Sequence, residues 1–335
     1  MKNLIFTTAF MLTSILCTKA QQNWIISNNP NFSNGSTNIF SSIDAACQSN
    51  EVQAGDVLLV QGSGLSYGNV TISKSVVIYC PGNFFGSSND VQVYNYAPVK
   101  FSNITITAEN VYLAGVQVTG DLTIQATNTI IQRNRIHNLY IAKSNATISQ
   151  NYCLNWCRVT ASASGLVFSN NFLNEIGRSN SGVSMDGIAV NNIILRCWGF
   201  QNNTYYIPRN IAFQNNIIQN LGGATSTSYN NTFSHNIIVS NGSSIDGING
   251  NQVVADWAAL FDDYGNGSTD AQWQLSQNSE AKQAGLNGID CGMFGGTEPY
   301  VLNGVPAIPQ IYEFNTPTSA TGSGLDVQIK AKSNQ

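Results

Sequence analysis

Three side chains that could bind an acidic sugar chain occupy one position in successive repeats. Arg158, Arg178 and Trp198 each lie seven residues after an Asn that recurs about every twenty residues. A guanidinium group can form two hydrogen bonds with a carboxylate, and an indole ring can stack on a sugar ring. Glu175 and Asp186 lie nearby in the sequence and could extend the same surface. The spacing predicts a ligand-binding column; the alternative is that turns of unequal length make the alignment accidental.

The recurring Asn belongs to a short pattern: an apolar residue, two others, Asn, any residue, then another apolar residue. Residues 148–153 and 168–173 are two of its copies. The Asn positions are separated by 17, 20, 20, 25 and 20 residues, and they are Asn134, Asn151, Asn171, Asn191, Asn216 and Asn236. A period near twenty indicates a solenoid.

The units of this solenoid are predicted to be strands. They contain short alternating runs of Ile, Val, Phe and Thr, separated by Asn, Gly and Ser, which is the pattern of β-strands and turns. The leucine-rich repeat has a similar period, but its Leu-x-x-Leu-x-Leu frame is missing. We therefore predict an all-β parallel β-helix of about eight to ten coils, in which the recurring Asn side chains stack as a hydrogen-bonded ladder. A second Asn stack with gaps is predicted at Asn138, Asn155 and Asn220.

The first twenty residues have the features of a secretory signal peptide. Lys2 precedes an apolar stretch, and Thr18-Lys19-Ala20 fits a cleavage site after Ala20. The alternatives are a transmembrane anchor, for which the stretch is too short, and a lipoprotein signal at Cys17, whose preceding residue is not small. We expect a secreted or cell-surface protein. No later run is long and apolar enough to span a membrane.

The composition disfavours nucleic acid as a partner. The chain carries 14 basic and 18 acidic residues, a net charge of −4, and only 10% of its residues are charged, whereas nucleic-acid binders usually show clustered Lys and Arg. The chain also contains 44 Asn. Its surface is therefore expected to be polar and nearly uncharged.

Both ends of the solenoid are predicted to be capped, because an open end exposes apolar core and unpaired strand edges. The N-terminal cap is expected at about 24–56 and includes a short helix that begins near Ser41. Closing coils are expected at about 250–312, within a β-helix domain of residues 21–312. Residues 313–335 read as a linker and one terminal strand.

The opening and closing segments resemble a known superfamily. The succession of the cap helix, residues 54–57, 67–72 and 75–78 is similar to the start of right-handed parallel β-helix proteins of the pectin-lyase-like superfamily. Residues 290–296 and 299–301 resemble the closing coil of secreted bacterial β-helix proteins, particularly those of Bacteroidetes. The resemblance covers roughly residues 24–312. It implies the fold, and the superfamily contains lyases, hydrolases, adhesins and proteins of unknown role.

The resemblance also implies what a catalytic member would need. A lyase needs a Lys or Arg base and often Ca²⁺ held by several carboxylates; the central cations here are Lys143, Arg158, Arg178 and Arg196. The central acidic residues are scattered singly, so Ca²⁺ is expected only under the lyase alternative. A hydrolase needs paired carboxylates beside a His and a basic residue, and the Asp262-Asp263 pair has neither neighbour. No catalytic residue is assigned.

The cysteines are interpreted as structural. Cys153 lies at an inward position of its coil, and Cys153-x-x-x-Cys157 lacks a second ligand pair, so no metal site is expected. Cleavage after Ala20 would leave six Cys, an even number that permits disulfides in an oxidising compartment. The best disulfide candidate joins Cys47 in the cap helix to Cys80 in an early strand.

Three functions follow as hypotheses. The first is a secreted β-helix protein that binds extracellular or cell-surface polysaccharide without catalysis, using Arg158, Arg178 and Trp198. The second is a divergent lyase acting on a uronate-containing polymer through Arg158, Arg178 or Lys143. The third is a purely structural surface protein, which the low charge and polar repeat face would also fit.

Overall fold

The computed structural model shows strands stacked into a parallel β-solenoid of about eight turns. It describes residues 20–30, 37–83, 98–201, 204–240, 243–266, 270–315, 324–325 and 327–333. All but residue 20 of the predicted signal peptide lies outside the described residues. The architecture is the all-β parallel β-helix that the sequence predicts, and it is consistent with the right-handed form.

The first half of the chain supplies strands β1 to β14. They are β1 (Asn23–Ile26), β2 (Ile39–Phe40), β3 (Val57–Val60), β4 (Asn69–Ile72), β5 (Val77–Tyr79), β6 (Lys100–Phe101), β7 (Asn103–Ile106), β8 (Tyr112–Ala114), β9 (Gln117–Ile124), β10 (Ile130–Gln132), β11 (Arg135–Ile141), β12 (Thr147–Ser149), β13 (Tyr152–Val159) and β14 (Ala163–Ser169). A single α-helix, α1 (Ile43–Gln48), lies among these described elements.

The second half supplies the remaining strands and several short 3-10 helices. The strands are β15 (Phe172–Leu173), β16 (Ile176–Arg178), β17 (Met185–Val190), β18 (Ile193–Arg196), β19 (Gly199–Gln201), β20 (Thr204–Tyr206), β21 (Ile211–Gln214), β22 (Ile217–Asn220), β23 (Thr232–Ser234), β24 (Ile237–Ser240), β25 (Gln252–Val253), β26 (Gln310–Asn315) and β27 (Gln328–Lys332). The 3-10 helices are Thr227–Tyr229, Ser243–Ile245, Ile248–Gly250, Ala258–Leu260, Ala271–Trp273, Leu286–Gly288 and Leu302–Gly304.

Successive turns contribute strands alternately to two parallel sheets. Sheet 1 has the order β2-β1-β3-β5-β8-β10-β12-β14-β17-β21-β23. Sheet 2 has the main order β25-β24-β22-β18-β15-β13-β11-β9-β7-β4, with β16 beside β13 and β6 beside β9. Two antiparallel hairpins, β19–β20 and β26–β27, form separate two-stranded sheets. The predicted terminal strand therefore pairs with β26.

Alternate side chains of each strand point into one continuous apolar interior. In sheet 1 the inward column pairs Ile78, Leu113, Ile131, Ile148 and Phe168 in register, and each side chain is fully buried. Burying apolar surface stabilises a fold by about 25 cal/mol per Å². The interior is therefore the main source of stability, and each turn shares it with its neighbours.

A ladder of buried asparagines joins the turns where the chain passes from sheet 1 to sheet 2. Each side-chain amide except the last donates to the side-chain oxygen of the next Asn, and each also donates to a backbone carbonyl of the preceding turn. For Asn171, the Nδ2 distances are 2.9 Å to Asn192 Oδ1 and 2.8 Å to the Ile148 carbonyl. The members are Asn134, Asn151, Asn171, Asn192, Asn216, Asn236 and Asn251.

One predicted ladder position is shifted by a residue. The sequence pattern predicts Asn191, but the structure places Asn192 in the ladder, whereas Asn191 occupies the preceding corner with a φ of 54°. The pattern had aligned Ile188 with the inward residues of other turns. In the structure Ala189 takes the inward place, opposite Phe168, and Ile188 points outward with 43% of its surface exposed. The sequence pattern therefore places Ile188 in the interior, whereas in the structure the smaller Ala189 lies there.

The N-terminal cap contains the predicted helix. Ser42 caps helix α1 by accepting a hydrogen bond from the Ala45 backbone N–H at 3.1 Å. Asp56 holds the first turn together, because its carboxylate accepts from the Trp24 indole at 2.8 Å and from two backbone N–H groups. None of the helices in the described residues has the length and apolar character needed to span a bilayer.

The predicted disulfide between Cys47 and Cys80 is wrong in this structure, where both are buried free thiols. The Cys47 thiol lies near the backbone of Ser73 and Lys74, ahead of strand β5. Cys80 follows the end of β5 and donates its backbone N–H to the Ala114 carbonyl. Each thiol is thus enclosed by a different part of the fold, and the two form no bond.

The C-terminal segment departs most from its prediction. Strand β25 adds a last rung to sheet 2, but the described part of residues 255–309, which we call the strap, runs back along the side of the solenoid. From residue 286 to residue 305 its partners move toward the N-terminus, in the pairs Leu286 with Asn215, Gly295 with Asn170, Pro299 with Gln150 and Val305 with Arg133. The strap is therefore a lateral cover, and most of the predicted closing coils do not form.

The strap covers an apolar stripe on the outside of sheet 2. The stripe consists of the residues directly after the ladder, which pair in register as Tyr152, Phe172, Ile193, Ile217 and Ile237. Trp273 of the strap stacks on Phe172 with 4.7 Å between ring centroids and donates its indole N–H to the Tyr152 hydroxyl at 3.1 Å. Stripe and strap together form a second core outside the solenoid.

Replacing Asn192 by Ala should be far more costly than replacing Asn191 by Gly. The first change removes the amide that bonds the Phe168 carbonyl and Asn216, and it leaves buried groups without partners. Each such group costs about 1–3 kcal/mol, so we expect the free energy of unfolding to fall by about 2–4 kcal/mol. Asn191→Gly should change it by less than about 1 kcal/mol, because Gly accepts a positive φ. Urea denaturation followed by circular dichroism measures both; equal losses would contradict the shifted ladder.

The six described cysteines should be unreactive in the folded chain. Burial raises the pKa of the Cys153 thiol to about 12 and also raises that of Cys80, so little thiolate forms at pH 8. We expect no thiol to react with Ellman's reagent within minutes under native conditions. In denaturant without reductant all six should react, and Cys17 makes a seventh if residues 1–20 are retained. Recovery of two thiols fewer than this number would show a disulfide and contradict the structure.

Candidate functional site

The outward surface of sheet 2 beside β9, β11 and β13 carries two straight columns of polar and aromatic side chains. The first column contains Asn69, Asn103, Asp121, Asn138 and Trp156. The second column contains Thr71, Thr105, Thr123, Tyr140 and Arg158. We call these ten residues the polar face. Successive members come from adjacent turns, so each column repeats at the inter-strand spacing of about 4.8 Å.

Hydrogen bonds between turns hold the first column. Asn138 donates its side-chain N–H to Asp121 Oδ1 at 2.8 Å, and Asn155 donates to Asn138 Oδ1 at 3.0 Å. Toward the N-terminus, Asn103 Oδ1 accepts from the Asp121 backbone N–H at 2.8 Å, and Asn103 donates to Asn69 Oδ1 at 2.9 Å. The amide orientations are fixed in advance, which lowers the entropy lost when a ligand binds. The predicted second Asn stack is present at Asn138 and Asn155, whereas Asn220 lies in register with Arg196 and Ser240 and does not extend it.

The C-terminal end of the polar face is aromatic. The rings of Tyr140 and Trp156 lie 6.5 Å apart between centroids. The Arg158 guanidinium lies over the Trp156 ring, with Cζ 4.1 Å from the ring centroid. Burial raises the pKa of the Tyr140 hydroxyl, and the neighbouring Asp121 carboxylate adds to the effect. Tyr140 therefore stays protonated and can donate a hydrogen bond.

A buried ion pair supports this aromatic end. Arg158 Nε donates to Glu175 Oε1 at 2.7 Å, and both side chains are almost fully buried. Since Glu175 neutralises Arg158, the guanidinium serves to fix the Trp156 ring. The sequence brings Arg158 and Glu175 to the same region, and the structure adds that they bind each other.

A shallow pocket of about 270 Å³ opens at the opposite, N-terminal end of the polar face. It is lined by Asp44, Asn69, Val70, Thr71, Asn103 and Thr105. Asp44 belongs to helix α1, and its carboxylate accepts the Thr71 backbone N–H at 2.9 Å. The pocket and the two columns form one continuous polar surface.

Arg178 does not join Arg158 in a column. In register, Arg158 lies opposite Gly177, and Arg178 lies opposite the inward residue Val159. Residues of β13 pair with residues of the following turn. The paired residue numbers differ by 20 for Tyr152 and Phe172 in β15, but by 19 for Cys157 and Ile176 in β16. A slip of one residue moves every following side chain to the other face of a sheet.

The Arg178 guanidinium is instead enclosed by backbone carbonyls. It donates to the carbonyls of Ile207 at 2.5 Å, Val183 at 2.7 Å and Ser181 at 2.9 Å, and the side chain is 3% exposed. Burial lowers its pKa, and nearby Arg209 adds to the effect. Arg178 therefore shapes the chain around residues 181–207.

The other predicted site residues are dispersed. Trp198 packs against the solenoid interior and lies close to Gly222. Asp186 is an exposed residue of β17 in sheet 1, on a different face from Arg158 and Glu175. His137 is exposed at the bulge in β11, and His235 occupies a corner with a φ of 53°. In the described residues, no group of three or more His, Cys, Asp or Glu side chains is arranged to hold a metal ion.

Replacing Arg158 alone by Met should destabilise the chain by about 3–5 kcal/mol, because it leaves the Glu175 carboxylate buried and unpaired. The double variant Arg158→Met, Glu175→Leu removes both charges and should recover most of the lost stability. Asp186→Asn, an exposed control, should change stability by less than about 0.5 kcal/mol. Urea denaturation of the four proteins tests this; a double variant no more stable than Arg158→Met would refute the pairing.

Comparison with protein-family models, with curated proteins and with solved structures finds no match to this chain. The parallel β-solenoid is therefore established by the structure alone. Membership of the pectin-lyase-like superfamily, and of its secreted Bacteroidetes representatives, stays a prediction from the sequence.

Proposed function

We propose that this chain is an exported β-helix protein that binds an extracellular or cell-surface polysaccharide along the polar face. The observation that carries the proposal is the pair of parallel columns with the Tyr140 and Trp156 rings at one end. The signal-peptide features of residues 1–20 support export.

The dimensions of the polar face suit an extended sugar chain. Five turns at about 4.8 Å give a length of about 19 Å between the first and last members of a column. The hydroxyl and amide groups of the columns can donate and accept hydrogen bonds with sugar hydroxyls. The aromatic rings offer apolar faces on which the C–H faces of sugar rings can stack. A linear polymer would therefore meet a repeated set of contacts.

The predicted alternatives receive less support from the same contacts. A lyase base must reach the sugar in its deprotonated form, but Arg158 is bound to Glu175, and Arg178 is buried and enclosed by backbone carbonyls. Lys143 is exposed beyond the end of β11, away from any described carboxylate cluster. We therefore propose binding without catalysis, and no Ca²⁺.

Trp156→Ala should weaken polysaccharide binding at least tenfold. The protein would first be screened on an array of plant, algal and bacterial wall polysaccharides. Dissociation constants for retained polymers would then be measured by affinity gel electrophoresis. The loss follows from removal of the ring on which a sugar can stack, and a tenfold change corresponds to about 1.4 kcal/mol.

Tyr79→Ala is the matched control, since Tyr79 is a half-buried aromatic residue on the outward face of sheet 1. It should bind as the unmodified protein does. Equal loss in both variants would move the binding site away from the polar face. If no polysaccharide slows the protein in the gel, the proposed function is wrong and the structural role is favoured.

A further inference from the structure

We infer that the polar face selects neutral, hydroxyl-rich glycans and rejects polyuronates. The inference rests on the proposed function, because it specifies the ligand of the same surface. It also reverses the expectation from the sequence, in which two arginines grip an acidic sugar chain.

The first argument is the charge of the polar face. Of its ten residues, eight are uncharged Asn, Thr, Tyr or Trp, and the two charged members are Asp121 and Arg158. Glu175 neutralises Arg158 through the 2.7 Å ion pair. Asp44 adds a second carboxylate at the pocket end. The surface that a ligand meets therefore carries an excess of negative charge, which repels a polyanion.

The second argument is the cost of freeing Arg158. Its side chain is 3% exposed, its Nε is bound to Glu175 and its guanidinium plane lies over Trp156. To bind a uronate it would have to leave a buried carboxylate, and an uncompensated buried charge is strongly unfavourable. Arg158 is thus unable to act as the cation that a uronate-binding site needs.

The third argument is the position of two cations beside the first column. Lys100 and Arg135 belong to the next outward column, where they pair in register with Gln117. Arg135 lies beside Tyr152, whose hydroxyl is bound by the strap. These two cations flank the polar face on the strap side, and Lys143 lies beyond the end of β11. None of the three belongs to the two columns, so a chain lying along them meets amides, hydroxyls and carboxylates.

The fourth argument is that the polar face carries groups suited to binding sugar hydroxyls. Asp121 and Asp44 can accept hydrogen bonds from sugar hydroxyls, and hydrogen bonds to charged groups are stronger than those between neutral groups. The amides and threonines add both donors and acceptors. A neutral glycan satisfies these groups without bringing a second negative charge.

The experiment compares binding to neutral and acidic polymers by affinity gel electrophoresis. The neutral probes are xyloglucan, galactomannan and laminarin, and the acidic probes are alginate and polygalacturonate, each at 50 mM and 500 mM NaCl. We expect retention by at least one neutral polymer, with a dissociation constant that changes less than twofold between the two salt concentrations. Binding between opposite charges at an exposed surface would weaken strongly over that range.

Thr123→Lys is the matched gain variant, because it places one cation at the centre of the second column. It should acquire retention by polyuronates at 50 mM NaCl and lose it at 500 mM NaCl. Stronger retention of the unmodified protein by polyuronates than by neutral polymers would overturn the inference while leaving the proposed function intact. Absence of retention by every polymer would overturn both. Neutral binding that Trp156→Ala leaves unchanged would place the ligand elsewhere and overturn the inference about this face.

Discussion

The structure depends on one constraint: from Asn134 to Asn251, successive turns must place an amide side chain at the same corner, where it bonds the neighbouring turns. Asn can do this because its side chain both donates and accepts hydrogen bonds. At Asn171, one amide satisfies the Ile148 carbonyl, and its oxygen accepts two N–H groups of Asn151. A missing member would leave buried backbone groups unpaired on two turns. The ladder therefore fixes the register of the turns it joins, and that register decides which side chains of β11 and β13 reach the polar face.

The fold could be predicted from this recurrence because the Asn, its spacing and the flanking apolar residues are all local features. The candidate site could be predicted only in part. Arg158 and Glu175 were placed in one region, but their mutual ion pair requires knowledge of which face each occupies. A turn one residue shorter between Leu173 and Ile176 sends Arg178 to the opposite face, and no local pattern marks where that residue is lost. Period alone therefore predicts the strands and not the orientation of every side chain.

The sequence pattern did not predict the strap, for a different reason. It lacks a repeat and contains mainly turns and 3-10 helices, so its residues resemble an irregular closing region. The signal that could have revealed it lies in the solenoid. The residue after the ladder Asn is apolar in Tyr152, Phe172, Ile193, Ile217 and Ile237, although it points outward. An outward column that is apolar over five turns requires a cover.

The strap also changes how the molecule holds together as a whole. A simple solenoid has contacts only between neighbouring turns, so its ends can fray while its centre persists. Here Arg133 bonds to the Val305 carbonyl, 172 residues away in the chain, and Gln150 bonds to the Glu298 carbonyl, 148 residues away. These long-range bonds couple early turns to late ones and raise the contact order, which slows folding. Distant turns therefore unfold more cooperatively than in a simple solenoid. During synthesis, the early turns are fully covered only after the last part of the chain has been made.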